Sequence, residues 1–183
     1  DVAEAVKLLL NAKKPLIWSG AGVLIASATE ELRELAELTQ IPVFTTMPGK
    51  SSFDERHPLS LGAGSRATSE AARTWIKESD VLFAVGSSMT RTNYGQPIPD
   101  GKVIIHSVES IEDINKDFSV DVGLPGDAKL TLRAMIEEVK AQLGGTGRKD
   151  QNGVAAEIAK IRKEWMDEWS PLLNSDEVPI GTY

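Results

Sequence analysis

The chain has 183 residues, room for one domain with a real core, and an ordinary soluble composition. A formal net charge of −7, with no block of Lys and Arg, argues against nucleic-acid and anionic-membrane surfaces. Cysteine is absent, which excludes disulfides and thiolate metal sites, and no apolar run approaches the roughly 20 residues of a membrane span.

The chain opens on Asp1 and passes straight into a helical pattern, without a signal peptide. The absence of an initiator Met leads us to expect a piece of a longer or processed protein. Asp1 and Glu4 are spaced as a helix cap and third helical position, and Val2, Val6, Leu9 and Leu10 share one face. A short apolar strand follows at 16–19, then Gly20-Ala21-Gly22. Ser27 and Glu30 are spaced as a capping box that opens a helix burying Leu32, Leu35 and Ala36. Residues 41–45 read as the second strand and 59–61 as a weak third, before Gly62-Ala63-Gly64. A helix over 69–78 turns Ala72, Trp75 and Ile76 inward.

The fourth strand, VLFAV at 81–85, is an unbroken apolar run, as expected of a strand buried on both faces. Gly86, Ser87 and Ser88 follow at once. The fifth strand is KVIIHS at 102–107 and the sixth lies at 120–124. Asp127 then caps a helix carrying Leu132, Met135, Ile136, Val139 and Leu143, which Gly144 stops. Strand and helix alternate, so we expect an α/β, doubly wound, Rossmann-like fold. Its sheet has six mainly parallel strands in the order 3-2-1-4-5-6, with helices on both faces. The connection between the fourth and fifth strands has no clear helix. Residues 144–153 are polar and glycine-rich and read as a linker after a domain spanning 1–143. In the remaining stretch, 154–183, Val154, Ile158, Ile161, Trp165 and Trp169 make one helical stripe, and a patternless arm follows.

Motifs of known chemistry match poorly. Gly20-Ala21-Gly22 begins a G-x-G-x-x-G pattern whose third position is Ile25, and no acidic residue closes the second strand, so the nicotinamide fingerprint fails. Gly49-Lys50-Ser51 lacks the first glycine of a P-loop and reads as a loop. Gly62-Ala63-Gly64-Ser65-Arg66-Ala67 fits G-x-G-x-x-A before a helix, where backbone N–H groups and Arg66 can hold a phosphate, or where a turn carries a solvated Arg. His57 and His106 have no ligand partners in sequence and read as surface or packed side chains.

The order of these pieces is more specific than any one of them. AKKPLIWSGAGV, ELAELTQIPVFTT with GK after it, HPLSLGAG, ESDVLFAVGSSM, KVIIHSVE and VDVGLPGDAKLTL succeed one another over residues 1–143. In that order the chain resembles the central domain of thiamine-diphosphate-dependent enzymes of the acetolactate synthase, pyruvate oxidase and oxalyl-CoA decarboxylase group. The resemblance implies a parent enzyme that decarboxylates or ligates 2-oxo acids or acyl-CoA with thiamine diphosphate and Mg²⁺. Both are held by domains absent from this chain, which alone would be non-catalytic. It further implies a cytoplasmic homodimer or tetramer with no nucleic-acid or membrane partner, and ADP or FAD bound by the central domain in some relatives.

The family ends its fifth strand with two aspartates spaced one residue apart. Here those positions are Ser107 and Glu109, and Ser107 offers no charge to a ribose. A nucleotide is expected at the carboxyl ends of the first, fourth and fifth strands. There Gly20, Gly22, Gly64, Gly86 and Ser87 would line it, Arg66 would pair with a phosphate, and Glu109 would take a ribose or adenine contact. ADP comes ahead of FAD, because little in the chain suggests an isoalloxazine cradle. A freestanding α/β nucleotide-binding or electron-transfer module without thiamine chemistry is the alternative.

Overall fold

The computed structural model describes residues 1–145, 147–148 and 153–179. In chain order the elements are α1 (Val2–Asn11), β1 (Pro15–Ser19), α2 (Ala21–Ile25), α3 (Thr29–Thr39), β2 (Val43–Thr46) and β3 (Ser60–Gly64). They continue with α4 (Glu70–Glu78), β4 (Val81–Val85), β5 (Val103–Val108), β6 (Val122–Pro125), α5 (Ala128–Gln142) and α6 (Val154–Leu173). A single 3₁₀ turn, Ile111–Asp113, lies between β5 and β6.

The six strands form one sheet in the order β3-β2-β1-β4-β5-β6, and every pair is parallel. The expected order is thus found, with no antiparallel strand. β1 lies in full register with β4, Pro15 opposite Val81 and Ser19 opposite Val85. Strand order reverses at this pair, so the switch point lies at their carboxyl ends.

Side-chain alternation splits each central strand between two cores. Ile17, Phe83 and Ile105 join Val6, Leu9, Leu32, Leu35, Leu132 and Met135 on the face covered by α1, α3 and α5. Leu16, Trp18, Leu82 and Ile104 join Phe44, Ala72, Trp75 and Ile158 on the face covered by α4 and α6. Such two-sided burial explains why β4 shows no polar residue. Asp80, just before β4, accepts from the N–H groups of Lys13 and Lys14 at 2.8 and 2.9 Å, fixing the entry of β1 beside β4. Burial opposes its charge, but those N–H donors outweigh it and hold the carboxyl below its ordinary range.

Several local expectations need correction. Asp1 sits at the cap of α1 but accepts no side-chain cap bond. Ser27 does not cap α3: the preceding short helix ends in a left-handed turn at Ser27 (φ 51°), and Ala28 occupies the cap position without a side-chain bond. Gly62-Ala63-Gly64 is not a turn but the carboxyl half of β3, paired with Phe44, Thr45 and Thr46. α4 therefore starts at Glu70, where Ser69 accepts from Ala72 N–H at 3.1 Å, and Arg66 lies in the loop before it.

α6 packs along α4. Lys14 Nζ joins them, meeting Glu78 at 2.7 Å and Glu157 at 2.8 Å above the Trp75 ring. Ile158 is buried, and Arg162 donates to the Ser60 carbonyl at 2.6 Å. Beyond that turn the helix leaves the core: Trp165 stacks on Trp169 at 6.1 Å, while Trp165, Met166, Leu172 and Leu173 are exposed. Of the linker, Gly147 and Arg148 lie against Leu38, whose carbonyl accepts from Arg148 N–H. Residues 146 and 149–152, and the end of the arm from 180 on, lie outside the described residues.

Candidate functional site

At the carboxyl ends of β1, β2 and β4 the chain encloses an open cleft of about 650 Å³. Trp18 and Gly20 form its floor, Thr46–Pro48 one side, and the β3–α4 loop with Gly64 and Arg66 another. The remaining wall is the long connection after β4, together with Phe118. This volume falls in the range of small-molecule sites, and an open α/β sheet binds ligands at this location.

Five of the seven expected site residues, Gly20, Gly64, Arg66, Gly86 and Ser87, line the cleft. Gly22 and Glu109 do not. Gly22 is turned into the protein, where its N–H donates to the Gly86 carbonyl at 2.8 Å. Glu109 is exposed just past β5.

The glycines also let the loops pack closely. A Cβ on Gly20 would lie 2.3 Å from the Gly86 oxygen, and one on Gly49 would lie 2.7 Å from the Ser19 oxygen and 3.0 Å from the Gly20 Cα. Three loops, after β1, β2 and β4, thus meet backbone to backbone. Ser19 and Ser52 seal the contact with a buried hydroxyl pair at 2.7 Å. The N–H groups of Gly20, Gly22, Val23 and Gly86 all donate to protein carbonyls. An anion entering this cleft meets side-chain cations instead: Arg66, and Arg91, whose guanidinium lies 4.5 Å over the Phe118 ring. Arg66 is partly engaged, since Nη1 donates to the Asn93 carbonyl at 3.1 Å.

His106 is packed, one of the two placements the sequence allowed, and it also shapes the site. Its Nε2–H donates to the Ser87 carbonyl at 2.7 Å, fixing the wall where it leaves β4. Burial pushes its pKa down, against smaller opposing contributions from the Ser87 carbonyl and Asp113, so the neutral ring is favoured. The Ser107 hydroxyl is fully buried and finds no partner among the described residues. Sequence reasoning missed Trp18, Arg91 and Phe118. Trp18 read as part of a strand, and the other two lie in irregular connections without a pattern. Among the described residues no group of three His, Cys, Asp or Glu side chains can hold a metal, and no helix is long and apolar enough to cross a membrane.

Residues 2–135 match the model of the thiamine pyrophosphate enzyme central domain family. The chain belongs to that family. The central domain is 33% identical over 184 aligned residues to a probable acetolactate synthase large subunit of Methanococcus aeolicus, covering 98% of this chain and 31% of that protein. It is 37% identical to the acetolactate synthase large subunit of Corynebacterium glutamicum over 149 residues, 80% of this chain and 24% of that one. The chain thus spans less than a third of the length of the curated relatives it matches. Among solved structures, benzoylformate decarboxylase from Polynucleobacter necessarius superposes with a TM-score of 0.66 at 22% identity, over 84% of this chain and 28% of that one, a likeness of fold.

Proposed function

We propose that this central domain is the scaffold and nucleotide-binding part of a thiamine-diphosphate- and Mg²⁺-dependent enzyme that decarboxylates or ligates 2-oxo acids or acyl-CoA, as a homodimer or tetramer. Thiamine diphosphate, when bound, supplies the electron sink that decarboxylation needs. The family resemblance assigns that cofactor and its metal to other domains of the parent, and among the described residues no group of three His, Cys, Asp or Glu side chains stands ready for a metal ion. Their part is to build the fold on which the other domains assemble, with 1–143 as the domain and 154–183 as the passage to the next.

The observation that carries the nucleotide reading is the cleft at the switch point, floored by Trp18 and flanked by Arg66 and Arg91. Its chemistry fits an aromatic base and a diphosphate, with the phosphates on guanidinium groups rather than on glycine N–H donors. ADP is favoured over FAD. Neither Gly22 nor Glu109 takes part in this version of the site.

The test is calorimetric titration with ADP and with FAD, repeated on Met47→Trp, which fills the cleft from an exposed lining position. ADP binding that Met47→Trp weakens at least tenfold supports the reading. Binding that the substitution leaves intact places the nucleotide elsewhere, and no binding of either ligand leaves the domain as scaffold alone.

A further inference from the structure

The connection after β4 is held in two distinct ways. Its first residues are tightly fixed. Gly86 N–H donates to the Ser107 carbonyl at 2.9 Å, the Gly86 carbonyl accepts from Gly22, and the Ser87 carbonyl accepts from His106. Met89 then takes a left-handed conformation (φ 48°) and buries its side chain. At the far end, Ile98 packs against the α4 core.

Between these anchors the chain has no regular structure and forms a wall of the cleft. Few bonds hold it to the rest of the protein. On one side, Arg66 N–H donates to the Tyr94 carbonyl at 3.1 Å and Arg66 Nη1 to the Asn93 carbonyl. On the other side, Arg91 N–H donates to Asp117 at 2.9 Å, and the Arg91 side chain rests on Phe118. Tyr94 itself is 83% exposed and packs on little. Segments with few buried apolar contacts and solvent-exposed hydrogen bonds open locally far more readily than the core.

We propose that residues 90–98 form a strap in the cleft wall that swings away from the cleft and back as one unit, hinged at Met89 and Ile98 and latched by Arg66 and Asp117. In this role Arg66 is first a latch. Its guanidinium is exposed, and an anion that draws it from the Asn93 carbonyl releases that latch, which ties opening to ligand entry. The link to ligand entry rests on the nucleotide reading of the cleft; the strap's motion does not.

Hydrogen exchange at the two latches tests the motion without any ligand. Arg66 N–H donates to the Tyr94 carbonyl and Arg91 N–H to Asp117, so each reads opening at its own side. If the strap moves as one unit, Asp117→Ala should speed exchange at Arg66 N–H, and Arg66→Ala exchange at Arg91 N–H, by about fivefold, as expected for the loss of one net hydrogen bond. Hydroxyl-radical oxidation of Trp18, which lines the cleft, should rise in step. Exchange at His57, whose N–H closes a turn on Asp54, should not change. An unaltered rate at the opposite latch in both variants, or a rise shared by His57, would overturn the proposal. Failure of ADP to bind, with the strap opening as described, would remove only the nucleotide reading.

Discussion

The N–H of Gly22 donates to the carbonyl of Gly86 at 2.8 Å, and each glycine occupies the space that a Cβ on the other would need. A Cβ on Gly22 would lie 2.7 Å from the Gly86 Cα; one on Gly86 would lie 2.6 Å from the Val23 nitrogen. Gly86 also has φ 62°, which by itself costs a non-glycine residue roughly 1–2 kcal/mol. Gly86→Ala should therefore destabilise by well over that amount, and Gly22→Val should not fold stably. Urea denaturation checks both. A Gly86→Ala midpoint close to the parent's would mean that the loops separate freely.

Buried Ser107 gives a prediction with the opposite sign. Its hydroxyl lacks a partner among the described residues, and an unsatisfied buried polar group costs about 1–3 kcal/mol. Ser107→Ala should raise the melting temperature. Ser107→Asp, which restores the residue the family resemblance leads one to expect, should lower it, because the carboxylate would be buried without a counter-charge. Thermal unfolding of the two variants decides; a stabilising Asp would show that water or a cation reaches the position.

His106 sets a pH dependence. Burial lowers its pKa in the folded chain, so below the ordinary value, about 6.5, the unfolded chain takes up a proton that the folded chain resists. The stability it contributes is whole above that value and declines as pH falls through the window beneath it. His106→Gln keeps a donor for the Ser87 carbonyl but does not titrate. The stability difference between parent and His106→Gln, from urea curves at pH 5 and pH 7.5, should shift in favour of the variant at pH 5. A difference independent of pH would contradict the buried neutral ring.

The last helix divides its energetics along its length. Ile158 is 1% exposed, so Ile158→Ala should cost about 2–5 kcal/mol. Trp165, at 39% exposed, stacks on Trp169 at its own end of the helix, and Trp165→Ala should cost under about 1 kcal/mol. Melting temperatures of the two variants check the ranking. A larger loss at Trp165 would mean that its ring is covered in solution by a second chain.

Much of this fold could be read in the sequence because two-sided burial leaves a plain mark. Five apolar residues in a row mark β4 to the residue, and the position of Asp127 before a periodic run marks it as the cap of α5. The glycine-rich stretch at 62–64 misled, since a strand at the sheet edge needs no large side chains and its glycines look like a turn. The Gly20, Gly22, Gly49 and Gly86 contacts were hidden for a different reason. Glycines kept for close packing between loops and glycines kept for a phosphate look alike in one sequence, and only the N–H acceptors tell them apart. Arg66 was found, but not its bonds to 93 and 94, because these join loops 27 and more residues apart.

As the central domain of a longer enzyme, this chain is expected to bind neither thiamine diphosphate nor Mg²⁺ by itself. Isothermal titration of the 183-residue chain with both tests this most directly. No heat of binding is expected up to millimolar cofactor. Saturable binding with micromolar affinity would contradict the assignment of the thiamine chemistry to other domains.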